Sequence, residues 1–181
     1  QKNKMIITIS GVAGSGKSSV AKILAKELEY THYSTGDMQR EIAKEKGLTI
    51  VELGELEKKD PSIDNMIDAK VEKLGKEKDN FVFDSWLAPL FIPNSFKIFL
   101  DTDIETRAKR ICMKREAESY TNIEDAKLNI VKRENSNRER WMRYYNYDFK
   151  DLNNYDAIID CSKISIEETV KLIKEKLPKN L

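Results

Sequence analysis

Apolar and polar positions follow two alternating regimes along this chain. Short β-branched or aromatic runs stand at residues 5–9, 81–83, 96–100 and 157–159, with a shorter one over 30–33. Continuous apolar runs of this length predict strands buried on both faces, as in a parallel sheet. The stretches between them are longer and repeat their apolar residues at helical spacing. Helix starts are marked at Thr49 with Glu52 and at Ser165 with Glu168, which fit capping boxes, and at Asp60 before Pro61. Strands thus alternate with helices, an order that predicts an α/β fold, because parallel neighbours need long crossovers.

Immediately after the first run comes Gly11, Val12, Ala13, Gly14, Ser15, Gly16, Lys17, Ser18, with Ser19 continuing into a helical pattern. This is G-x-x-x-x-G-K-[ST] between a strand and a helix. Glycines let the backbone turn tightly and aim its N–H groups at phosphate oxygens beside a helix N-terminus. Lys17 would reach the β- and γ-phosphates of ATP, and the Ser18 hydroxyl would ligate Mg²⁺. The glycine spacing fails the dinucleotide fingerprint G-x-G-x-x-G, and no N-K-x-D guanine-reading motif is present. The loop alone fits GTPases, motor ATPases and small-molecule kinases.

Composition narrows the class. The chain has 181 residues, 35% of them charged, with 32 Lys plus Arg against 31 Asp plus Glu and a net charge of +1. That length predicts one domain over 1–181, cytoplasmic, without a membrane span or a secretory leader; whether residues 1–4 are native is left open. The near-neutral balance argues against a nucleic-acid partner. Cys112 and Cys161 have no metal-site spacing and read as buried, reduced thiols. The one histidine, His32, reads as structural.

Seven of the eight arginines fall between 107 and 143: Arg107, Arg110, Arg115, Arg133, Arg138, Arg140 and Arg143. Segregating the bidentate side chain from lysine points to one zone that handles phosphate. Arg133, Asn137 and Arg140 are spaced to share one helical face, whereas Arg138 points elsewhere. The same residues fit a solvated amphipathic helix whose arginines pair with Glu134 and Glu139. The segment Ser34, Thr35, Gly36, Asp37, Met38, Gln39, Arg40 is either a second phosphate grip or a plain capped helix start with a surface arginine. Trp141, Tyr144, Tyr145 and Tyr147 could cover a base or pack in the core.

In this order, these motifs resemble the nucleoside monophosphate kinases, most closely the small archaeal and bacterial cytidylate kinase-like proteins. The similarity also takes in Asp84-Ser85 and the blocks 96–103, 132–140 and 147–162. It implies a P-loop three-layer α/β/α sandwich with a five-stranded parallel sheet. A monophosphate-binding segment at about 34–78 and an arginine-rich lid at about 112–145 go with it. The implied activity is transfer of a phosphoryl group from ATP, with Mg²⁺, to CMP or dCMP, by a monomer. Lys17, Arg133 and Arg140 would be catalytic. Residues 11–19 with Arg110, Ser162 and Lys163 would hold ATP, and Thr35, Asp37, Arg40, Asp84 and Asn137 would hold the acceptor. Ser18 and Asp84 would serve the metal. Two departures touch the acceptor side: Trp86 stands where relatives commonly have Arg, and Asn137 where they commonly have an acidic residue. Adenylate kinase, another small-metabolite kinase, and a nucleotide-binding regulator with little transfer remain as alternatives.

Overall fold

The computed structural model of the chain describes residues 4–57, 59–113 and 122–179. Five strands, β1 (Ile6–Gly11), β2 (Thr31–Ser34), β3 (Phe81–Asp84), β4 (Phe96–Asp101) and β5 (Ala157–Asp160), form one parallel sheet in the order β2-β3-β1-β4-β5. Register pairs Ile9 with Asp84 and Gly11 with Leu100, so the C-terminal ends of β1, β3 and β4 lie side by side. The chain leaves β3 on one side of β1 and enters β4 on the other. Ligands in open α/β sheets bind at such a switch point.

Alternation along the pleat sends side chains to two helical layers. Ile7, Ile9, Val82 and Leu100 pack against α1 (Lys17–Leu28) and α8 (Ile166–Lys176). Ile6, Phe81 and Phe83 pack under α2 (Thr35–Lys46), α3 (Ile50–Glu57) and α4 (Ser62–Glu77). α6 (Ile104–Met113) meets α7 (Ile123–Tyr145) through Ala108, Ala126 and Ile130. Beyond them Phe99, Trp141 and Phe149 form a separate aromatic cluster against which Trp86 packs.

The capping boxes at Thr49 and Ser165 form as expected, each with reciprocal side-chain and backbone bonds. Asp60 accepts the Ser62 N–H at the start of α4. Burial on both faces holds for β1 and β3 but not at the sheet edges. β5 alternates buried and exposed residues, with Ile158 42% exposed, and β2 is only half-buried. An edge strand has no neighbour to bring a second covering helix. α5 (Ala88–Phe91) and the 3-10 turn Leu152–Asn154 are too short to leave a periodicity in the sequence. Both cysteines are free, Cys161 buried but Cys112 only half-buried. Among the described residues no helix is long and apolar enough to cross a membrane.

Candidate active site

The loop between β1 and α1 has the conformation its glycines permit. Gly11 has φ 148°, and a Cβ there would lie 2.3 Å from the Leu100 carbonyl oxygen. Gly14 has φ 79°, and a Cβ would meet the Arg107 carbonyl oxygen at 3.0 Å. A side chain at either position would therefore push apart β1 and β4, or the loop and α6. Lys17 Nζ donates to the Gly11 and Val12 carbonyls at 3.3 and 3.2 Å, so its ammonium is folded inside the loop. Burial lowers its pKa to about 8, against the opposing pull of Asp84 and Glu134.

Asp84, buried at the C-terminal end of β3, ties two neighbouring elements to this loop. Its Oδ1 accepts the Ser18 hydroxyl at 3.0 Å, and its Oδ2 bonds His32 Nε2 from β2. His32 is therefore structural in a specific sense: it fixes the rotamer of Asp84. Ser18 Oγ and Asp84 Oδ1 are adjacent hard oxygen donors, the type of set that Mg²⁺ accepts along with its waters. Ser15 Oγ is buried in the loop and has no partner among the described residues.

A buried ion pair holds the other flank of the loop. Glu134, 2% exposed on α7, accepts the Ala13 N–H at 3.0 Å and pairs with Arg107 of α6. Arg107 Nε donates in turn to the Ala13 carbonyl at 2.8 Å, and Lys150 Nζ reaches Glu134 Oε2 at 2.7 Å. The alternative of a solvated helix with Glu134 paired at its surface therefore fails at this residue. An acid with three partners and no solvent is a bolt between the loop and α7. Arg107 leaves the phosphate-handling zone for the same reason.

These elements enclose a cavity of about 1400 Å³, larger than the roughly 300–1,000 Å³ that holds one small ligand. Ala13, Gly14, Gly16, Lys17, Ser18 and Ser19 line its floor, whereas Gly11, Val12 and Ser15 lie behind it. Arg133, Asn137 and Arg140 all face the cavity from α7, as their spacing predicts. Arg138 points away and pairs with Asp148. Arg143 is exposed and does not line the cavity, and Arg115 lies outside the described residues, as does part of the expected lid segment.

Arg110 also lines the cavity and is held by backbone carbonyls: Gly14 and Ser15 at 3.4 and 3.3 Å, and Cys161 at 3.1 Å. It therefore bridges the phosphate loop and the loop after β5. In that second loop Ser162 and Lys163 do not line the cavity: Ser162 Oγ accepts the Asp103 N–H at 2.8 Å, and Lys163 is exposed.

At the start of α2, Thr35, Gly36 and Gln39 line the cavity, but Asp37 and Arg40 do not. Asp37 completes a capping box with Ser34 and accepts Arg40 at 2.6 Å, which folds the guanidinium back toward Gly36. Burial raises the Asp37 pKa, but hydrogen bonds from Arg40 and Ser34 outweigh it and hold the carboxyl below its usual range. The segment is thus a capped helix start with an exposed arginine paired to Asp37, outside the cavity lining.

Trp86 lies between Lys17 of the phosphate loop and Arg133 of α7. Its ring stacks on Phe149 at 5.4 Å and meets Trp141 edge-on at 5.3 Å. Lys17 Nζ and the Arg133 guanidinium sit 5.3 and 5.4 Å from its centroid, within cation–π range. Trp141, Tyr144 and Tyr145 line the cavity, whereas Tyr147 packs beside Phe149 in the aromatic cluster. Sequence reasoning did not single out Asp64 and Asp68 of α4, which face the cavity one turn apart. Their helical spacing with Ile67 and Val71 is legible, but that periodicity marks a buried face without saying what it meets.

A model of the cytidylate kinase-like family matches residues 6–163. The chain belongs to that family. It is 38% identical over 171 residues to a cytidylate kinase of Sulfolobus acidocaldarius, covering 93% of this chain and 92% of the relative. A cytidylate kinase of Pyrococcus horikoshii is 37% identical over 174 residues, covering 96% and 88%. In fold, a shikimate kinase from Bacteroides thetaiotaomicron superposes with a TM-score of 0.68 at 15% identity, covering 96% of this chain and 98% of that one. The fold is thus shared with a shikimate kinase, and the sequence family is narrower than the fold.

Proposed function

We propose that this cytidylate kinase-like protein transfers the γ-phosphoryl group of ATP to CMP or dCMP. One observation carries the reading: the phosphate loop and the Arg133–Asn137–Arg140 face of α7 look into the same cavity from different elements. The floor suits a triphosphate, with loop N–H groups, the N-terminus of α1 and the Lys17 ammonium all presenting positive charge. Arg110, clamped above Gly14 and Ser15, would cover the adenine side. Arg133 and Arg140 would hold the acceptor phosphate or the group in flight, with Asn137 between them and Thr35 in the lining, and Arg40 would join them only by leaving Asp37.

Near neutral pH a nucleoside monophosphate is already largely ionised, so no side chain must remove a proton. The work of the protein is then alignment and neutralisation of charge. Lys17 swings from its carbonyls onto the incoming phosphates, and Arg133 stabilises negative charge between donor and acceptor oxygens. Ser18 and Asp84 would hold Mg²⁺, directly or through water, which when bound screens the phosphate oxygens. Trp86, backed by Phe149, walls the transfer point against water.

The test is an acceptor panel of CMP, dCMP, UMP, AMP and shikimate with ATP, reading ADP release. The expected result is highest kcat/KM with CMP or dCMP and none with shikimate. Preference for AMP or shikimate would assign the site to another kinase. Tight ATP binding without turnover on any acceptor would make the protein a nucleotide-binding regulator.

A further inference from the structure

The cations near the cavity are held in two different ways. Three arginines that do not line it are paired with carboxylates: Arg107 with Glu134, Arg138 with Asp148 and Arg40 with Asp37. Three cations that do line it lie over indole rings. Lys17 Nζ and the Arg133 guanidinium are 5.3 and 5.4 Å from the centre of Trp86, and the Arg140 guanidinium is 5.9 Å from that of Trp141.

The difference matters for phosphate chemistry. A carboxylate takes up the in-plane N–H donors of a guanidinium and repels an incoming phosphate. An aromatic face attracts the cation through its quadrupole, carries no net charge and leaves those donors directed outward in the plane of the group. Arg133 is an exposed residue of α7 with a long side chain rich in rotamers. A support that orients it reduces the entropy lost when it grips a phosphate.

Trp86 is itself firmly set. Its ring stacks on the fully buried Phe149 with 17° between the planes, and Trp141 closes on it at 73°. The Trp86 carbonyl accepts the Ser10 hydroxyl at the end of β1 at 3.2 Å. Trp86 Nε1 is buried without a partner among the described residues, so the indole keeps this orientation at the cost of an unmade hydrogen bond.

Resting on the reading of the site as a nucleoside monophosphate kinase, we infer that Trp86 is a positioning residue for Arg133, its ring fixing the guanidinium with its donors free for the phosphoryl group in transfer. Lys17 meets the same ring but is also anchored by the Gly11 and Val12 carbonyls, so it depends on Trp86 less. This role is separable from that of a wall against water. A wall needs only apolar bulk, whereas support of a cation needs a π face.

The experiment uses the full chain with ATP and whichever acceptor of the panel turns over fastest. Trp86→Phe keeps a π face, and Trp86→Leu keeps apolar bulk alone. Trp86→Leu is expected to lower kcat on the order of 5–30-fold with the KM for ATP within about threefold, and Trp86→Phe to recover most of that loss. In an Arg133→Ala background the same Trp86→Leu change is expected to lower kcat little further, because the residue through which the ring acts is gone. Equal losses in Trp86→Phe and Trp86→Leu, or a Trp86→Leu loss that persists in full without Arg133, would overturn the role and leave Trp86 a wall only. Should Trp86→Leu fail to fold, Trp86→Met, apolar and flexible, carries the same comparison. Absence of turnover with every acceptor in the unaltered protein would overturn the kinase reading itself, and the inference with it.

Discussion

Lys17 shows how one residue's setting determines when the protein can work. Its ammonium sits in a desolvated loop with Asp84 and Glu134 attracting it and Arg133 and Arg107 repelling it. The balance puts its pKa at about 8 in the unliganded protein, below the usual lysine value. The charged form is the one that attracts phosphate, so ATP affinity should hold below that pH and fall as pH rises through it. Calorimetric titration with a non-hydrolysable ATP analogue between pH 6.5 and 9.5 checks this, and an affinity that is flat across the range would contradict it. Stability moves oppositely. Between about 8 and the unfolded-chain value the unfolded state binds more protons at this site, so this group makes stability rise with pH.

Among the elements, α7 has two faces with different tasks. Arg133, Asn137 and Arg140 look into the cavity, while Glu134 and Trp141 anchor the same helix to the phosphate loop and the aromatic cluster. The arginines are therefore set in place by the body of the protein, and this part of the expected lid is fixed to the core. Glu134→Ala would leave Arg107 charged and buried without its partner. It should destabilise the protein by about 3–5 kcal/mol, read as a lower urea midpoint at unchanged slope. A loss below about 1 kcal/mol would show that solvent reaches the pair. The cavity face of α7 was legible in the sequence because Arg133, Asn137 and Arg140 repeat with the helix. So were the phosphate loop and the capping boxes, which are local patterns. Glu134 with Ala13 and Asp68 with Tyr145 were not, because each pair joins residues 121 or 77 positions apart. No periodicity within one segment encodes such a meeting. The burial of Arg107 was hidden similarly, since a cluster of arginines does not reveal which member turns inward.

For the molecule as a whole, the sheet order decides where two ligands can meet. With β1 between β3 and β4, one helical block, α2 to α4, and another, α6 and α7, flank the phosphate loop from opposite sides and share one cavity. On the proposed function, a compound that joins adenosine to cytidine through a polyphosphate would span both blocks, whereas an ATP analogue would contact chiefly the loop and Arg110. At 100 times its Kd a ligand adds about 2.7 kcal/mol of stability, which for a chain of this size is roughly 5–10 °C in Tm. At equal concentration the bridging compound should give the larger shift in a thermal melt. Equal shifts would mean that the cytidine end finds no seat.

The aromatic cluster has one more consequence. The chain contains two tryptophans, Trp86 and Trp141, and both border the cavity, 5.3 Å apart. Cations rest within 6 Å of each ring, Lys17 and Arg133 for Trp86 and Arg140 for Trp141. All of the protein's indole emission therefore originates where the phosphates would arrive, and drawing these cations onto a nucleotide would change the field at both fluorophores. Occupancy could then be followed by eye of a fluorimeter alone, with no dye, label or coupled enzyme.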